Sequence, residues 1–169
     1  MKIEIYPNKL SVSEIEILMR EIDPRKNSVD MTYFSDEDNK TGCKKIRCDD
    51  HSIIKNISSK LPFNTESVSI AYYPIGSYNP LHADNCIIDN DEIIQVKNWT
   101  HTGIIFLNND FAGGKLIYPN QGCVFTPVIG NLIIAPAGHE YTHFVEPVIS
   151  GERFTLVFRL IQKGIEIDY

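Results

Sequence analysis

His143-Phe144-Val145-Glu146-Pro147-Val148-Ile149-Ser150-Gly151-Glu152-Arg153 reads as a strand, a turn from Pro147 to Gly151, and an arginine entering the next antiparallel strand. A hairpin of that kind would bring His143 and Arg153 close together. The run that Arg153 opens, Arg153-Phe154-Thr155-Leu156-Val157-Phe158, has strand alternation: Arg153, Thr155 and Val157 share one face. A face bearing Arg and Thr either lines a cavity or meets solvent. Further strands are expected near 68–73, 102–107, 115–118, 122–126, 131–135, 142–146 and 152–161. Turns at Pro74-Ile75-Gly76, Asn108-Asn109-Asp110, Gly113-Gly114 and Ala137-Gly138 separate them. Many short strands in succession point to a sandwich or barrel.

The first part of the chain is different. Ser11 with Glu14 three positions on makes a capping box, and Ile15, Leu18, Met19 and Ile22 then fall on one helical face. Asp23-Pro24 stops that helix. Residues 35–50 are polar and read as loop. A second helix is expected from His51 to Lys60, with Ile53, Ile54 and Ile57 inward. Residues 85–99 interrupt the strand rhythm with Asp89, Asp91 and Glu92, and read as a long loop that can close over a site. The chain is read as one domain, 1–169: a helical or mixed part over 1–66 and a β core over 67–162.

With 169 residues the chain can bury a core without staples. Its net charge of −6 disfavours a general nucleic-acid partner, which needs clustered Lys and Arg. The four cysteines, Cys43, Cys48, Cys86 and Cys123, form no Cys-x-x-Cys pair and fit reduced thiols in the cytoplasm. No apolar run approaches the length of about 20 residues that spans a bilayer, so no membrane partner is expected.

The triplet His82-Ala83-Asp84 can point both side chains into one cavity, because alternate residues of a strand share a face. Two histidines and one carboxylate can bind one face of an octahedral ion and leave the other face open, as in non-haem Fe(II) centres that activate O₂. The third ligand must come from elsewhere: His51, His101, His139 and His143 are the candidates. Arg153 suits a carboxylate, because its planar fork donates two parallel charge-assisted hydrogen bonds, and Thr155 can add a hydroxyl.

Taken in order, four segments resemble the Fe(II)/2-oxoglutarate-dependent dioxygenases, most closely the prolyl 4-hydroxylase-like branch. They are Tyr72-Tyr73-Pro74 leading into His82-Ala83-Asp84; Gly103 to Asn108 followed by Asp110-Phe111-Ala112-Gly113-Gly114-Lys115-Leu116; Pro127 to Gly130 with Asn131 to Ala135; and His143 with Pro147-Val148, Gly151 and Arg153. The resemblance covers roughly 68–161. It implies a mostly β fold, the cupin-like double-stranded β-helix or jelly-roll, with N-terminal buttressing helices. It implies His82, Asp84 and His143 as Fe(II) ligands, and favours His143 over His139 because only His143 has the Pro, Val, Gly and Arg in register behind it. Arg153 resembles the residue that pairs with the distal carboxylate of 2-oxoglutarate, and Tyr73 sits where the family often has a tyrosine contacting the co-substrate.

The activity so implied is hydroxylation of a C–H bond by O₂ with 2-oxoglutarate as co-substrate and ascorbate as a possible reductant. The substrate is a prolyl or other peptidyl residue, or a small amino-acid-like molecule. The strand at Ile104 to Phe106 departs from the family in lacking a tyrosine, and Trp99 stands where some relatives carry an arginine. Two other readings remain. Arg153 and Arg159, six apart, are similar to the signature of nucleic-acid demethylating dioxygenases, although Thr155 stands where those place asparagine. A non-catalytic ligand-binding β-helix is the other.

Overall fold

The computed structural model describes residues 2–22, 32–33 and 40–164. The expected stop at Asp23-Pro24 lies outside them. In chain order the elements are β1 (Glu4–Tyr6), α1 (Val12–Ile22), β2 (Thr32–Tyr33), β3 (Lys44–Arg47), α2 (Ser52–Ser59), β4 (Phe63–Tyr73), β5 (Asn79–His82), β6 (Cys86–Asp89) and β7 (Glu92–Gln95). There follow β8 (His101–Phe106), β9 (Ala112–Gly113), β10 (Leu116–Tyr118), β11 (Cys123–Phe125), β12 (Leu132–Pro136), β13 (His143–Val145), β14 (Val148–Ser150) and β15 (Arg153–Gln162). A seven-stranded antiparallel sheet runs β1-β12-β8-β15-β4-β3-β2, and a four-stranded sheet runs β11-β10-β13-β5. β9 and β14 form one small ribbon, and β6 and β7 another.

The large sheet is apolar on both faces, and strand periodicity sorts its residues between two cores. Val68, Ile70 and Tyr72 of β4 and Phe154, Leu156, Phe158 and Leu160 of β15 join Leu18, Ile54 and Ile57 of the helices. Ala71, Tyr73, Ile104, Phe106 and Ile133 point the other way, toward Leu116, Tyr118 and Val145 of the small sheet. Helices therefore buttress one face, and the small sheet closes the other as a jelly-roll. Leu156 is fully buried in the first layer, so Leu156→Ala costs about 2–5 kcal/mol. The odd positions of β15 are left facing the space between the sheets.

The capping box forms as read. The Ser11 amide donates to Glu14 Oε2 at 2.9 Å, and the Glu14 amide donates to Ser11 Oγ at 3.3 Å. Ile15, Leu18 and Ile22 are buried, with Met19 packed beside them. In α2, Ile54 and Ile57 are buried and Ile53 is partly so. No described helix is long and apolar enough to cross a membrane.

Three expectations are corrected. The 35–50 segment contains β3, which pairs with β4 along Lys44↔Tyr72 to Arg47↔Ser69; a polar strand forms because its neighbour supplies the hydrogen bonds. Residues 85–99 are largely hairpin rather than loop: Ile87↔Ile94 and Ile88↔Ile93 pair across it. Asn90 and Asp91, at φ 48° and 65°, make the tight left-handed turn that suits a two-residue connection. Its charges sit at the tip, while its β-branched pairs make the ladder. Finally, β13 and β15 are not hairpin partners: β13 pairs with β5 and β10, and β15 with β4 and β8. His143 and Arg153 approach one space from facing sheets.

Candidate metal centre

Strand pairing brings the two histidines together. His143 of β13 lies directly opposite His82 of β5, with ring centroids 4.4 Å apart. Asp84 lies just past the end of β5, where its amide and that of Asn85 donate to the Ala137 carbonyl at 3.1 and 3.2 Å. His82, Asp84 and His143 each offer a ligand atom, and these atoms all lie within 4.8 Å of one another.

The way each side chain is held selects the atom it presents. His82 Nδ1 is 2.7 Å from the Pro80 carbonyl, and His143 Nδ1 is 3.1 Å from the Tyr141 carbonyl. Donation from each Nδ1–H fixes the tautomer and leaves Nε2 a lone pair, the usual support of a metal-bound histidine. Asp84 Oδ1 accepts from Arg159 Nη1 at 2.5 Å, whereas Oδ2 is buried without a hydrogen-bond partner. That orphan oxygen lies 3.6 Å from His143 Nε2, too far for a hydrogen bond. Two imidazole lone pairs and one orphan carboxylate oxygen converge, which is the donor set that a divalent ion completes.

Electrostatics favour the ligand forms of Asp84 and His143. Burial would raise Asp84, but Arg159, then His143 and His82, hold its carboxyl well below the usual range. Burial pushes His143 down to about 4, against the opposing pull of Asp84. His82 is raised: burial would lower it, but the Asp84 carboxylate beside it prevails. Tyr118 packs on the His143 ring at 4.7 Å between centroids.

A narrow cleft of about 30 Å³ leads inward from the triad, past Thr155 and Tyr73, to Arg153. Arg153 is only 1% exposed. Its guanidinium carbon sits 4.5 Å from the Tyr73 ring centre and 5.1 Å from that of Phe106. Nη1 reaches Thr155 Oγ1 at 3.5 Å, and Nε has no hydrogen-bond partner. Among the described residues no carboxylate pairs with it. Burial lowers the pKa of a cation so placed and costs several kcal/mol; Tyr73, Thr155 and the two ring faces offset only part of that. An incoming anion is the natural complement. Gly114 makes the space: at φ +60°, an added Cβ would lie 2.9 Å from Arg153 Cδ.

The other histidines lie elsewhere. His139 is exposed in a single helical turn, and His101 is buried against Phe63, 4.7 Å away, outside the cleft. His51, a candidate third ligand, instead caps α2: its Nδ1 accepts from the Ile53 amide at 3.2 Å, and its side chain is only 20% exposed. Sequence reasoning noticed Arg159 only as half of a spaced pair. In the structure it also donates to Thr102 Oγ1 at 3.0 Å, and its guanidinium carbon stands 4.7 Å from the Trp99 ring centre. The period-2 spacing from Arg153 was the signal that could have found it.

No protein-family model matches the chain. Over 89 residues it is 35% identical to prolyl 3-hydroxylase 3 of Mus musculus and of Homo sapiens, matching 46% of this chain and 12% of each relative. Prolyl 3-hydroxylase 2 of Rattus norvegicus is 29% identical over 86 residues, 44% of this chain and 12% of the relative. The chain thus spans about an eighth of the length of the curated relatives it matches. Among solved structures, it superposes on a viral collagen prolyl hydroxylase of Paramecium Bursaria Chlorella virus-1, in its 2OG complex. The TM-score is 0.72, with 19% identity and 95% of each chain covered. A Pseudomonas putida prolyl-4-hydroxylase gives a TM-score of 0.68, with 19% identity, covering 96% of this chain and 93% of that one. The fold is the double-stranded β-helix of the 2OG-Fe(II) oxygenases, and the homologues in sequence are prolyl 3-hydroxylases.

Proposed function

We propose that this chain is an Fe(II)- and 2-oxoglutarate-dependent dioxygenase that hydroxylates a C–H bond of a prolyl or other peptidyl residue. One observation carries the reading: a metal-ready trio and a buried guanidinium with no carboxylate partner among the described residues share a single cleft. His82, Asp84 and His143 hold the iron through Nε2, Oδ2 and Nε2. Arg153 takes the distal carboxylate of 2-oxoglutarate, with Thr155 and Tyr73 beside it. When bound, iron, co-substrate and O₂ supply the oxidising power: 2-oxoglutarate becomes succinate and CO₂, and one oxygen atom becomes the substrate's new hydroxyl.

The protein's own work is positioning and charge. Arg159 and Thr102 fix Asp84 so that one oxygen faces inward. The facing sheets exclude water from Arg153, where its attraction for a carboxylate is strongest. A cleft of about 30 Å³ has room for one or two waters, so binding a five-carbon diacid shifts the side chains around Arg153. Outside the triad, His82, Asp84 and Arg159 also border an open groove of about 610 Å³, which takes the peptide or a small amino-acid-like substrate.

The whole described chain serves this site as one domain, because β1 and β3 complete the sheet that carries Arg153. None of the four cysteines is in a disulfide, which supports a reducing compartment, the cytoplasm. The test is anaerobic titration of Fe(II) with 2-oxoglutarate, which is expected to give a weak visible charge-transfer band. Mass spectrometry of a peptide and amino-acid panel should then find a product heavier by one oxygen atom. Retention of both band and turnover in His143→Ala would refute the ligand assignment.

A further inference from the structure

The groove outside the triad carries the opposite charge to the chain as a whole. The sequence has 16 Lys and Arg against 22 Asp and Glu. Yet the charged side chains lining the groove are Lys45, Arg47, Lys97 and Arg159, with Asp84 the lone acid among the described residues there. Asp84 is matched by Arg159 and Arg47 by Asp49, which still leaves the lining with more cations than acids.

The groove's two walls have different chemistry. One belongs to the large sheet, where Arg47, Ser69 and Val157 are register neighbours on β3, β4 and β15. Strands lie about 4.8 Å apart, so Arg47 stands about 10 Å across the sheet from Val157 at the cleft. About three residues of extended peptide span that distance. The Arg47 side chain is 65% exposed; Asp49 takes its Nε at 2.7 Å. Asp49 is itself tied down by the Val68 amide. The other wall belongs to the β6–β7 hairpin and the segment after it. There Ile87 and Val96 are 52% and 46% exposed, and Lys97 and Trp99 lie beside them.

We propose that this groove selects an acidic peptide. The residue to be hydroxylated sits at the triad, an Asp or Glu within about three residues of it meets Arg47 and Lys97, and an apolar residue packs on Ile87 and Val96. The assignment rests on the dioxygenase reading for its chemistry, but not for its binding. Complementary charge sets partner choice and encounter rate, and its effect weakens with salt.

Trp99 is the chain's one tryptophan, so its emission reports on occupancy of the groove. The protein is titrated with three prolyl peptides alike except for flanking Asp, Ser or Lys, and with a single-stranded oligonucleotide and free proline. Anisotropy of labelled peptides provides the second readout. Titrations are made on metal-free protein and again, without O₂, in Fe(II) and 2-oxoglutarate. The Asp peptide is expected to bind at least about tenfold more tightly than the Lys peptide, a gap of about 1.4 kcal/mol. High salt should narrow the gap, and the separate variants Arg47→Glu and Lys97→Glu should shrink or invert it. Equal affinity for the three peptides, or no binding of any, overturns the proposal. So does tighter binding of the oligonucleotide, which would assign the groove to phosphates, or of free proline, which would make it an amino-acid site. A preference for Asp without a visible Fe(II)–2-oxoglutarate band leaves the groove assignment standing and removes the dioxygenase reading. A band with no preference does the reverse.

Discussion

Arg153 and Arg159 stand six residues apart on the same face of one strand, and their surroundings make them opposites. Arg153 is buried between aromatic rings, with no carboxylate among the described residues and an unbonded Nε. Arg159 is bonded to Asp84 at 2.5 Å and Thr102 at 3.0 Å. A cation whose desolvation is offset inside the protein acts as a brace for its partner. A cation left without an internal counter-charge has its affinity available for a ligand. In the proposed site these two positions of β15 divide the labour: Arg153 takes an anion, and Arg159 aims a carboxylate.

That contrast can be tested, starting with the largest effect. His143→Ala should cut Fe(II) affinity by more than about 100-fold and abolish turnover, because losses one shell further out already cost about 10–100-fold. Isothermal titration and succinate release measure it. Arg153→Met should raise the Kd for 2-oxoglutarate by about 100-fold while sparing Fe(II) binding. Because it removes a buried charge that no carboxylate among the described residues pairs with, the same variant should also stabilise the co-substrate-free protein, by about 1–4 kcal/mol in urea unfolding. A destabilised Arg153→Met would mean that the guanidinium is satisfied internally after all.

Arg159→Met should show the converse pattern. Fe(II) affinity falls by about 10–100-fold, and 2-oxoglutarate binding to the metal-saturated protein changes much less. Equal losses of both ligands in both arginine variants would erase the distinction. Gly114→Ala should weaken 2-oxoglutarate binding several-fold, because its left-handed backbone and its 2.9 Å approach force Arg153 to move. Some stability should go with it.

A separate expected effect concerns pH. Folded His143 titrates near 4, below the ordinary 6.5, so between those values the unfolded chain holds a proton that the folded chain lacks. Stability then rises with pH across that window and falls as pH drops through it. The urea midpoint of the metal-free protein should therefore decline from pH 7 to pH 5 more steeply in the wild type than in His143→Gln.

Much of this molecule was legible locally. The Ser11–Glu14 box, the apolar face of α1 and the strands at 68–73, 102–107 and 152–161 follow from short-range periodicity, and the structure contains them. So does the shared face of Arg153, Thr155 and Val157, since a strand's period fixes it. The exposed ladder at 86–95 was less legible, because acidic residues at its tip masked the Ile pairs beside them. The strand at 44–47 was hidden for a different reason: Lys44-Lys45-Ile46-Arg47 becomes a strand by joining β4, not by its own composition.

By itself the sequence determined which side chains share a face and which residue types were available to bind a metal and a carboxylate. Tertiary structure alone decided that His82 faces His143 across β5 and β13, that Arg159 rather than solvent meets Asp84, and that Arg153 enters the same cleft from the opposite sheet. The physical reason is separation along the chain. Backbone periodicity acts over a few residues, whereas strands joining positions 60 to 75 apart are chosen by burial of whole faces, which no local spacing records.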